Sequence, residues 1–102
     1  MEADMTDVSE KISVVRAMAP ERARRVLVDA IRETLVAGDR YPAPSTAGYL
    51  ILAAVGLPAT DSGVQTLAGL LGAVLDDMAR VHGPDSRSVR AALAELDRAV
   101  AR

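Results

Sequence analysis

Residues 61–81 read DSGVQTLAGLLGAVLDDMARV, and their spacing decides the fold class. Val64, Leu67, Leu71, Val74, Met78 and Val81 recur at steps of three and four residues, the period of one helix face. Leu70 and Leu75 widen that stripe. Asp76, Asp77 and Arg80 give it a polar end, and Arg80 and His82 suit the negative C-terminal end of a helix dipole. The pattern predicts a long helix from Thr60 or Asp61 to about Val81. Ala68 and Gly72 stand four residues apart, as do Gly69 and Ala73. Small residues at that spacing let a second helix backbone come close.

The flanking chain punctuates itself around this helix. Downstream, Gly83-Pro84 is a break, and Asp85 or Ser86 caps a final helix whose stripe is Val89, Ala92, Leu93, Leu96 and Val100. Upstream, Gly56 and Pro58 close a shorter helix opened by Ser45 or Thr46. Its run from Ala47 to Val55 is apolar nearly all round, which predicts burial on most sides. The stiff Tyr41-Pro42-Ala43-Pro44 stretch precedes it. Before that, Pro20 fits the first turn of a helix that ends at Gly38, with Val26, Leu27, Ala30, Ile31, Thr34 and Leu35 as its stripe. Glu21 lies four residues before Arg25, the spacing of a surface ion pair. A first helix carries Val8, Ile12, Val15 and Met18 and stops before Pro20. No run of β-branched or aromatic residues alternates with period two. The reading is all-α: a compact antiparallel bundle of about five helices, near 6–18, 20–37, 46–55, 61–81 and 86–101. It forms one domain over 1–102, with residues 1–5 expected to be disordered.

Composition narrows the function classes. The 102 residues include no Phe, Trp or Cys, and the aromatics are Tyr41 and Tyr49. A core of Leu, Val, Ile, Met and Ala lacks large aromatic anchors and is expected to lean on a partner chain. Without cysteine there is no disulfide framework and no thiolate metal site. The acidic start is unlike a secretory signal, and no stretch approaches about 20 apolar residues. A cytoplasmic protein with no membrane partner is therefore expected. Net charge is −2, so no global field attracts nucleic acid. Eleven of the twelve basic residues are Arg, a bias that suggests a GC-rich bacterial genome.

The chemistry-bearing residues read mostly as structure. His82 is the single histidine and sits at a helix end, where it suits a terminal carbonyl. Asp29, Glu33, Asp76 and Asp77 resemble bundle metal ligands only in type, because the Glu-x-x-His spacing is missing. Neighbouring Arg25, Arg32 and Arg80 are their expected partners. Thr6, Ser45, Thr46, Thr60, Ser62 and Ser86 stand where caps belong. Neither a Gly-x-Ser-x-Gly elbow nor a phosphate-cradling loop is present. No catalytic, metal or cofactor site is predicted. A helix-turn-helix reading fails because the turn from Gly56 to Val64 is too long and the next helix offers only Gln65 and Thr66 to bases.

Two binding surfaces remain as expectations. The first joins the apolar helix near 46–55 to the face of the long helix, Val64, Leu67, Ala68, Leu71, Gly72 and Leu75, meeting a protein partner or a second copy of the chain. The second is an anion or nucleic-acid face built from Arg22, Arg24, Arg25, Arg87 and Arg90, supported by Arg98 and Arg102, if their two helices are neighbours. The favoured function is a non-enzymatic regulatory or adaptor protein working through helix-mediated protein–protein interaction. The alternative is a nucleic-acid-associated regulator that uses the Arg residues.

Overall fold

The computed structural model describes residues 5–41, 49–50, 52 and 56–101. Four helices are described: α1 (Met5–Arg16), α2 (Pro20–Val36), α3 (Asp61–His82) and α4 (Arg87–Val100). Their ends follow from local chemistry. Ala19 takes an extended conformation (φ −53°, ψ 139°), as a residue before proline must, and Pro20 opens α2. The end of α1 tightens, with Ala17 and Met18 donating to carbonyls three residues back. It therefore stops at Arg16, short of the predicted Met18. Thr60 caps α3 by accepting from the Gly63 N–H at 3.2 Å. Ser86 caps α4 by accepting from the Val89 N–H at 3.3 Å. Gly83 has φ 94°, a conformation that suits glycine as the chain leaves α3.

Two expectations fall partly on residues outside the described ones. The expectation of disorder over 1–5 lies outside the described residues except at Met5, the first residue of α1. Of the predicted helix 46–55, Tyr49, Leu50 and Leu52 are described, and each is helical. Leu50 is fully buried, but Tyr49 and Leu52 are 63% and 69% exposed. Burial on most sides is thus corrected at these two positions. Leu50 thus belongs to the core, while Tyr49 and Leu52 stand at the surface.

Long-range contacts fix the order of the bundle. Arg22 near the start of α2 donates to the carbonyl of Ala99 at the end of α4. Ser88 at the start of α4 donates through Oγ to the carbonyl of Thr34 near the end of α2, at 3.4 Å. These two helices are antiparallel neighbours, and their contact is the most extensive in the fold. Arg24 Nε donates to the carbonyl of Leu57, just before α3. His82 at the end of α3 bonds to the carbonyl of Arg40, just after α2. Thus α2 and α3 run in the same sense, and the connection between them returns along about 25 Å of helix. Helix α1 lies across α2, α3 and α4, tied to α4 by Lys11–Asp97 at 2.6 Å.

One core serves all four helices. Val8, Ile12 and Val15 from α1 meet Ala23, Leu27, Ala30 and Ile31 from α2. Leu67, Leu71, Leu75 and Met78 fill the centre from α3, and Val89, Ala92, Leu93 and Leu96 close it from α4. Alanines at 23, 30 and 92 are fully buried. Close approach through small side chains stands in for the missing aromatic anchors. Val81, predicted to continue the seam, is 53% exposed.

Candidate functional site

The predicted partner face of the long helix is used inside the chain. Val64, Leu67, Ala68, Leu71 and Leu75 are buried, and Gly72 lies against Ile12 of α1, whose Cδ1 a Cβ there would meet at 3.8 Å. Within the chain these residues face the core that α1, α2, α4 and Leu50 share, not an open surface.

The apolar surface that stays open lies one turn of the helix to the side. Tyr49, Leu52, Gly56 and Leu57 form one wall of a groove, and Gln65, Thr66, Gly69, Leu70 and Ala73 of α3 form its floor and other wall. Its volume is about 510 Å³, and no charged residue among the described ones lines it. Gly69 and Ala73 are exposed. Their spacing was legible in the sequence. Tyr49 and Leu52 fall on the helix near 46–55 expected to meet a partner but, like Leu57, were not singled out, because an uninterrupted apolar run carries no signal of which side will be left uncovered.

The Arg residues divide into two groups. Helices α2 and α4 are neighbours, as the basic face required. They are also antiparallel, so Arg87 and Arg90 lie at the opposite end from Arg22, Arg24 and Arg25. The expected single face of these five residues is corrected by that orientation. Arg98, at the end of α4, joins Arg22 and Arg25 instead, in a cleft of about 580 Å³ that also includes Val26, Asp29, Glu95 and Ala99. Arg98 pairs with Glu95, and Asp29 lies 3.7 Å from Arg32. Arg24 turns away to the carbonyl of Leu57 at 2.7 Å. Arg25 and Glu21, predicted as a pair, form no ion pair with each other.

A polar junction ties the far end together. Asp39 Oδ2 accepts from the Ser88 N–H at 2.9 Å, a second cap on α4 supplied from 49 residues away. That bond holds the Asp39 carboxyl below its ordinary value, with the nearby His82 and Arg87 charges adding to the effect. His82 does serve a carbonyl, but that of Arg40 in the loop after α2. Tyr41 Oη is buried without a hydrogen bond among the described residues. Burial raises its pKa, and the Thr34 hydroxyl beside it offsets part of that rise.

The acidic residues do not assemble. Asp77 pairs with Arg80, and among the described residues no three His, Asp or Glu gather as metal ligands. Among the same residues, no helix is long and apolar enough to cross a membrane. No family model matches this sequence, and comparison with curated proteins and with solved structures finds no match.

Proposed function

We propose that this is a non-enzymatic regulatory or adaptor protein that works by helix-mediated protein–protein interaction, with the groove beside α3 as its docking surface. The observation that carries the reading is the open, uncharged groove, flanked by Tyr49 and Leu52 at 63% and 69% exposure. Burying a side chain of this size contributes roughly 1.5–3 kcal/mol. A floor of Gly69 and Ala73 lets a helix backbone come close, and the apolar face of an amphipathic helix fits such a groove. With no charge in the lining, binding should vary little with salt. Affinity capture from the source cell tests this. A stoichiometric partner retained by the wild type and lost by Leu52→Glu, at low and high salt alike, supports the proposal. Retention by both Leu52→Glu and Ala73→Glu counts against it.

The cleft shared by Arg22, Arg25 and Arg98 favours a second reading, association with nucleic acid through phosphate contacts. Asp29 and Glu95 in its wall weaken that field. A gel shift with duplex DNA that fades as salt rises would support it, and no shift at low salt would end it.

A further inference from the structure

We draw no further inference here: the strongest candidate, the cleft between the start of α2 and the end of α4 lined by Arg22, Arg25 and Arg98, carries nothing beyond the second reading above, because Arg22 already donates to the Ala99 carbonyl, Arg98 already pairs with Glu95, and Asp29 and Glu95 in the same wall offset its charge.

Discussion

One substitution, glycine to alanine, should have opposite effects at two positions of α3. At Gly69 the new methyl meets nothing within 4 Å among the described residues, so the helix keeps the full propensity gain of about 1 kcal/mol. For a domain of this size that raises the melting temperature by roughly 4–8 °C. At Gly63 the methyl would sit 2.1 Å from the Pro58 carbonyl oxygen and 3.3 Å from Pro58 Cδ. The first of these neighbours is backbone and cannot rotate away, so residues 57–59 must move. That movement pulls on the Leu57 carbonyl held by Arg24 and on the Thr60 cap. Losing the cap costs about 1 kcal/mol, which the alanine propensity gain roughly offsets. The overpacking cost of about 1–3 kcal/mol is left as the net destabilisation. Urea unfolding followed by circular dichroism reads both effects. An unchanged slope with midpoints moving in opposite directions is the expected result. A Gly69→Ala variant less stable than its parent would refute the open face, and a Gly63→Ala variant more stable than its parent would refute the Pro58 contact.

Other positions are as direct. Leu71→Ala, at the centre of the core with no exposed surface, should cost about 2–5 kcal/mol in the same assay. Asp39→Ala should cost about 1 kcal/mol as the loss of a cap on α4, with a pH dependence whose sign is set by the lowered folded-state pKa. The Asp39 contribution is complete above the unfolded value of 3.8 and disappears as pH falls through the folded value. Wild type and variant should therefore converge in acid, and a gap that widens there would contradict the bond to Ser88. Tyr41→Phe should be neutral or slightly stabilising, because it removes a buried hydroxyl that makes no hydrogen bond among the described residues. A loss above about 1 kcal/mol would mean that the hydroxyl has a partner.

Much of this protein was legible as a string of residues. Helix ends are local events, decided by Pro20, Thr60, Gly83 and Ser86 within a turn of where they act, so they could be read without a fold. The period of the α3 stripe was equally local. Its destination was not. Periodicity states that Val64, Leu67 and Leu71 share a face, but not which elements cover it, and that face turned out to belong to the core shared by all four helices. The open face passed to Gly69 and Ala73, and its exposed flank to Tyr49 and Leu52. The Arg clusters divided for a related reason, because the sense in which α4 lies against α2 decides whether Arg87 or Arg98 joins Arg22. The Asp39 cap on Ser88 spans 49 residues of chain and has no local signature. By itself, then, the sequence determined the helices, their limits and their apolar faces, since each depends on contacts within a few residues. The tertiary structure decided which faces were spent on the core and which were left exposed, since that depends on how distant helices are oriented against one another.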